Sequence, residues 1–301
     1  MDLFDAMKVF TAIVDAGSFS AAAARLDISR PAASKQVSAL EDHLGVRLLS
    51  RTTRRVSATE AGRRFYVRAR DILDRMDEAR AEAGDLFAKP AGVLRVNAPV
   101  SFGREHLVGV IADYHEAYPD VSIDLALNDR VVDIVEQGFD LAVRIGELPD
   151  SSLRARKVSV CRLSLTASPD YIARKGAPSA PDDLKDHDCI VYSSAAESAW
   201  RFAKGGEVQA IEASGWFRCD SGPAVVEAAA AGLGLALEPT FLTWRHVRAG
   251  ELVTLLPDYA PPALGVYAVT PPARFTPEKV RTFVDHLARR FGSSPYWDET
   301  E

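Results

Sequence analysis

The chain has 301 residues, 47% hydrophobic and 26% charged, with a net charge of −6. That length exceeds one ordinary core, so two or three domains are expected, and no run approaches the roughly 18 apolar residues of a membrane helix. The start "MDLFDAMKVF" lacks the basic and then apolar blocks of a secretory signal, which predicts a cytoplasmic protein with no membrane partner.

Cys161, Cys189 and Cys219 are widely separated and odd in number, so they read as free thiols rather than a disulfide framework. The six histidines are scattered as well. No catalytic set, metal cluster or cofactor is implied. Charge is unevenly spread: residues 1–90 hold 15 Lys+Arg against 13 Asp+Glu, whereas the remainder holds 21 against 29. The segment "LGVRLLSRTTRRVSAT" (44–59) carries four arginines and no acid.

Leu3, Met7, Phe10 and Val14 share one helical face, and Gly17 is a helix stop. Ser18 opens a second helix with the stripe Phe19, Ala22, Ala23 and Leu26. After a three-residue turn, a third helix has Pro31 in its first turn, Gly45 at its end and the stripe Ala33, Val37, Leu40 and Leu44. Two short helices joined by so tight a turn form a helix-turn-helix. The outer side of the third helix presents Arg30, Ser34, Lys35 and Ser38 before any acid. Val46, Leu48, Leu49 and Val56 flank the arginines as two short strands of a wing. Thr59 caps a long helix on which Phe65, Ala69, Ile72, Met76, Ala79, Ala83 and Leu86 alternate steps of four and three. That seam predicts pairing with a second copy of the chain.

"KPAG" (89–92) reads as a hinge. Beyond it, strands and helices alternate: strands at 92–99, 121–128, 140–146 and 159–168, helices at 101–119 and 129–138. This predicts a parallel sheet with helices on its faces. Hairpins between Trp200 and Phe217, a helix at 221–232, a strand at 233–239 and a terminal helix at 277–291 follow.

The stretch "GSFSAAAARLDISRPAASKQVSALEDHLGVRLLSRTTRRVSATEAG" resembles the DNA-binding region of LysR-type transcriptional regulators. The order of parts is similar to theirs along essentially the whole chain. The resemblance implies an α plus α/β protein. It has a winged helix-turn-helix (1–58), a linker and dimerisation helix (59–88), a hinge (89–92), an effector domain (93–292) and a tail (293–301). The effector domain would resemble a type 2 periplasmic binding protein, with subdomain I at about 93–165 and 268–292 and subdomain II at about 166–267. It further implies a homotetramer acting as repressor or activator, with RNA polymerase as partner in the second case.

A helix entering the major groove needs short hydroxyls for close approach and a few cations for charge and bidentate donors. Ser29, Arg30, Pro31, Ser34, Lys35 and Ser38 meet that need, and Arg51, Arg54 and Arg55 suit phosphate or minor-groove contacts from the wing. The family often has glutamine at the place of Arg30 and arginine at that of Lys35, so Arg30 is a candidate for either a guanine edge or a phosphate. The expected DNA is a double-stranded, interrupted palindromic operator.

Strand ends meet helix starts at Pro99–Ser101, Leu127–Asp129 and Cys219–Gly222. Free N–H groups there, beside a hydroxyl or amide, suit an anion. The resemblance converges on Ser101, Phe102, Asn128, Arg144 and Ser221, with Gly222 adjoining, as the effector cleft for a small organic acid, an aromatic carboxylate among them. Alternative readings are a solute-binding protein and an enzyme using the same cleft; neither accounts for the DNA-binding pattern. The segment "GLGLAL" (232–237) lacks the full GxGxxG pattern.

Overall fold

A computed structural model describes residues 2–51, 56–84, 89–130, 132–193, 199–272 and 276–299. Helix α1 (Leu3–Ala16) starts on Asp2, whose carboxylate accepts from the Phe4 and Asp5 amides. Helix α2 (Phe19–Arg25) is capped by Ser18 Oγ and α3 (Arg30–Leu44) by Ser29 Oγ, each accepting an amide of the first turn. Gly45 ends α3 at φ 65°, a left-handed conformation that favours glycine.

Phe10 and Ile13 of α1, Ala22 and Ala23 of α2, and Ala33, Val37 and Leu40 of α3 form one core with Leu48, Leu49 and Tyr66. The alanines let the short helices cross closely. Leu44, expected in the stripe, is instead 38% exposed. It sits in the last turn, past the point where α1 and α2 cover α3.

The wing is the antiparallel pair β1 (Leu49–Arg51) and β2 (Val56–Ala58). Thr59 Oγ1 then accepts the Gly62 amide and starts α4 (Glu60–Gly84), a helix of about 37 Å. A Cβ on Gly62 would lie 1.9 Å from the Leu48 carbonyl oxygen, so only glycine permits this approach of the linker helix to the wing.

The α/β part contains β3 (Gly92–Ala98), β4 (Val121–Leu127), β5 (Leu141–Gly146), β6 (Arg154–Cys161), β7 (Leu163–Ala167), β8 (Cys189–Tyr192), β9 (Ala199–Lys204), β10 (Glu207–Glu212), β11 (Arg218–Cys219), β12 (Leu235–Pro239), β13 (Val253–Leu255) and β14 (Leu264–Thr270). Its helices are α5 (Val100–Phe102), which continues through a π-helical turn at Gly103–Leu107 into α6 (Val108–Ala117), then α7 (Pro169–Lys175), α8 (Gly222–Ala230), α9 (Thr240–Arg248) and α10 (Glu278–Phe291). Two five-stranded sheets result, in the orders β4-β3-β5-β14-β6 and β11-β8-β12-β7-β13. The first is mixed rather than parallel, because β14 returns antiparallel between β5 and β6.

The strand expected across 159–168 is two strands, one in each sheet, and the chain crosses between subdomains at Arg162. The helix expected at 129–138 is a single turn over 134–138 among the described residues. Asp133 accepts the Val135 and Glu136 amides there, a side-chain bond that competes with a longer helix. The described residues of the tail pack onto the α/β part. Trp297 is buried against Phe102, Phe291 and the His106 ring, and Asp298 pairs with Arg162 at the crossing.

Candidate nucleic-acid interface and effector cleft

In α3 the apolar stripe fixes which side faces outward. Arg30, Pro31 and Lys35 are exposed, and Ser34 and Ser38 are half-buried on the same side. Neither Arg30 nor Lys35 has a hydrogen bond or ion pair among the described residues, so both charges are open to phosphates or base edges. Ser29 has a second use, since its Oγ accepts the Ala32 amide. Arg51 ends β1, while Arg54 and Arg55 lie outside the described residues, as does the Arg51 side chain.

Glu41 is the supporting residue that the sequence pattern conceals. Its side chain is 3% exposed and accepts the Leu48 amide at 2.9 Å, the Leu49 amide at 3.0 Å and Arg47 Nη1 at 2.8 Å. Burial pushes the carboxyl upward, but bonds from Leu49, Arg47 and Leu48 outweigh it and hold it below the usual glutamate value. One buried carboxylate thus ties the recognition helix to the first strand of the wing.

The linker seam divides. Phe65 packs its ring 5.6 Å from Phe10 and Ala69 is fully buried, so these two serve the chain's own fold. Ile72 and Met76 are 45% and 42% exposed. Ala79 and Ala83 lie on α4 with their side chains outside the described residues, and Leu86 lies outside them altogether.

At the effector domain, β3, β4 and β5 end together and gather three expected residues. The Asn128 amide donates to the Ala98 carbonyl, and Arg144 Nη1 donates to Asn97 Oδ1 at 2.5 Å. Ser101 is half-buried just beyond Ala98. Arg144 Nη2 is buried with no partner among the described residues, and burial lowers the guanidinium pKa. Ser221 precedes α8 without a capping bond from its side chain.

Three features depart from the expected anion cradle. Asp129 Oδ1 already accepts the Val100 amide, filling the first helix start. Phe102 is fully buried, its ring 5.3 Å from Phe241 and 5.9 Å from Trp297, so it is a bolt between subdomains and presents no wall to a ligand. Gly222 is required by packing, since a Cβ there would meet Leu242 at 2.8 Å and Glu238 Oε2 at 3.1 Å.

That Glu238 is 3% exposed, and burial raises its pKa to about 8. Its carboxyl has no hydrogen-bond partner among the described residues. The sequence could have flagged it as the lone acid in the apolar strand "LALEP". His106, pushed down to about 4 by burial, stands neutral between the Tyr296 hydroxyl and the Phe241 carbonyl. A separate cavity of about 440 Å³ joins Arg104 and Glu105 to Glu227, Leu242, Arg245 and His246. Arg104 pairs with Glu105 there, and His246 lies 3.8 Å from Glu227.

A winged helix-turn-helix with an open cationic helix face, joined to a two-subdomain α/β domain, defines a DNA-binding regulator with a ligand domain. Residues 4–63 match the bacterial regulatory helix-turn-helix family of lysR type, and residues 88–292 match the LysR substrate binding domain. The chain belongs to the LysR family of transcriptional regulators, and is a regulator rather than an enzyme. It is 36% identical to an HTH-type transcriptional regulator of Haemophilus influenzae over 93% of this chain and 98% of that one. It is 34% identical to the regulator PtxR of Pseudomonas aeruginosa over 96% and 93%. The solved structure of CrgA from Neisseria meningitidis, a LysR-type regulator, aligns with TM-score 0.61 and 30% identity over 96% of this chain and 99% of that one. No helix among the described residues is long and apolar enough to cross a membrane.

Proposed function

We propose that this regulator acts in the cytoplasm as a homotetramer built from dimers paired through the linker helix, and binds an interrupted palindromic operator. Arg30, Ser34, Lys35 and Ser38 would face the major groove, with Ser29 and Pro31 at the helix start and Arg51, Arg54 and Arg55 along the phosphates. The open charges of Arg30 and Lys35 support this reading. Exposed Ile72 and Met76 support pairing through the linker helix. Where the protein activates, RNA polymerase is its further partner.

The effector is a small organic acid whose carboxylate is held by Arg144, with Ser101, Asn128 and Ser221 supplying hydroxyl and amide contacts. The observation that carries this is the buried, unpartnered Nη2 of Arg144, a donor whose desolvation only an acceptor can offset. Glu238, beside the first residue of α8, favours an effector that also brings a hydrogen-bond donor. The test is an anisotropy titration with DNA adjoining the protein's own gene, with and without a panel of small carboxylates. A carboxylate that shifts operator affinity in the wild type but not in Arg144→Gln supports the reading. A shift of equal size in that variant removes Arg144 from the site.

A further inference from the structure

The DNA-binding domain, the linker helix and the effector domain meet at one polar cluster. Asp15, in the last turn of α1, accepts the Tyr66 hydroxyl of α4 at 2.5 Å and the Arg95 guanidinium of β3. The Arg95 guanidinium also lies 5.2 Å from the centre of the Tyr66 ring. One turn along α4, Arg70 donates to the Tyr66 hydroxyl at 3.2 Å and lies 3.8 Å from Asp140. Asp140 in turn accepts the Arg95 backbone amide at 2.8 Å and returns its own amide to the Arg95 carbonyl at 2.9 Å. Lys279 of α10 approaches Asp140 at 4.0 Å and donates to the Val93 carbonyl.

These groups are largely out of water. Side-chain exposure is 16% for Asp15, 15% for Arg95, 12% for Arg70 and 13% for Asp140. Charges so placed are poorly screened, and removing one leaves its partner desolvated and uncompensated. Loss of one partner therefore weakens the whole contact rather than one bond of it.

The other end of the same two strands carries the candidate effector contact. Leu94, Val96 and Ala98 point from β3 into the core, so Arg95 and Asn97 share the opposite face, about 7 Å apart. Asn97 Oδ1 holds Arg144 Nη1 of β5, and Asp140 stands immediately before β5. On the parallel β3–β5 pair Asn97 is in register with Ala142, which puts Arg95 level with Asp140, and the Asn97 side chain reaches diagonally to Arg144, two residues further along β5. Arg95 grips Asp15 of the DNA-binding domain, and Asn97 holds the guanidinium whose other nitrogen is orphaned.

We infer that the Asp15–Tyr66–Arg95 cluster is the docking contact through which the state of Arg144 sets the position of the winged helix domain. The inference rests on the reading of Arg144 as an effector contact. An acceptor taken up by the free Nη2 draws the guanidinium toward it, and because Nη1 of the same group holds Asn97, that pull passes to the strand that carries Arg95. Arg95 is a positioning residue here: it touches neither DNA nor effector.

The test is hydrogen exchange on the full chain without effector, comparing wild type, Asp15→Asn, Tyr66→Phe and Arg144→Gln. Arg156→Gln is the control: Arg156 lies on β6 of the same sheet, and its exposed guanidinium pairs with Asp285 of α10. Both conservative latch variants keep the packed volume, so both are expected to fold. Each should raise exchange about fivefold or more in residues 11–17 and in the first two turns of α4. Arg144→Gln should raise exchange in residues 11–17 as well, whereas the control should not. Unchanged exchange in those residues in Arg144→Gln overturns the inference, whether or not the latch variants respond. Because no effector enters this experiment, such a result leaves the effector reading to its own titration.

Discussion

The Glu41 carboxylate of the recognition helix is shared by the consecutive backbone amides of Leu48 and Leu49, at 2.9 and 3.0 Å. Helix and wing are thus set at one angle by a single side chain. Replacing Glu41 by Ala strips both buried amides of their acceptor, and the expected cost is about 2–4 kcal/mol. The folded-state pKa lies below the unfolded one. This stability is therefore present above the ordinary glutamate value of 4.5 and lost as pH falls through the lowered pKa. Urea unfolding of wild type and Glu41→Ala at pH 7 and pH 3 should give a smaller gap at pH 3. Equal gaps would remove the carboxylate from the account.

Lys35 is exposed on the helix face and bound to no described neighbour. Lys35→Ala should weaken operator binding and lower the slope of log affinity against log salt by about 1 for each Lys35 engaged. Melting temperature and oligomer mass should stay the same. An anisotropy titration over a range of salt concentrations checks this, and an unchanged affinity takes Lys35 off the DNA.

Much of the DNA-binding half was legible because its determinants are local. Ser18, Ser29, Thr59 and Gly45 are caps and stops within a few residues of what they cap. What escaped depends on residues far apart in the chain. Arg95 meets Asp15 across 80 positions, and Trp297 reaches Phe102 from the far terminus. Phe65 and Ala69 fit a heptad seam, yet the seam's period is the same whether its partner is another chain or the chain's own α1. At the effector cleft, the strand-end pattern located Ser101 and Asn128, and the family resemblance added Arg144. It carried no sign that Asp129 fills the first helix start or that Phe102 is sealed by Phe241 and Trp297.

Glu238 predicts an opposite pH response. Its pKa is raised to about 8, so the folded state holds its proton more tightly than the unfolded state does. The group is tolerated fully below about pH 4.5, and stability is lost as pH rises toward 8. Glu238→Gln should match the wild type at pH 5 and exceed it at pH 9, by on the order of a few kcal/mol. A gap that does not grow with pH would place the carboxyl in water or beside a cation.

Ile72 and Met76 are exposed apolar residues one turn apart on α4. Placing an acid at an apolar helix seam opposes association, so Ile72→Asp should lower the mass measured by light scattering while circular dichroism keeps its helical signal. A variant of wild-type mass would put the subunit contact elsewhere.

The central claim, that α3 and the wing read DNA as paired units, is tested most directly by footprinting the full chain on the DNA adjoining its own gene. Two protected half-sites on one face of the duplex, separated by whole helical turns, are expected, together with their loss in Lys35→Ala. Protection of a single unpaired site, or the same footprint with Lys35→Ala, would contradict it.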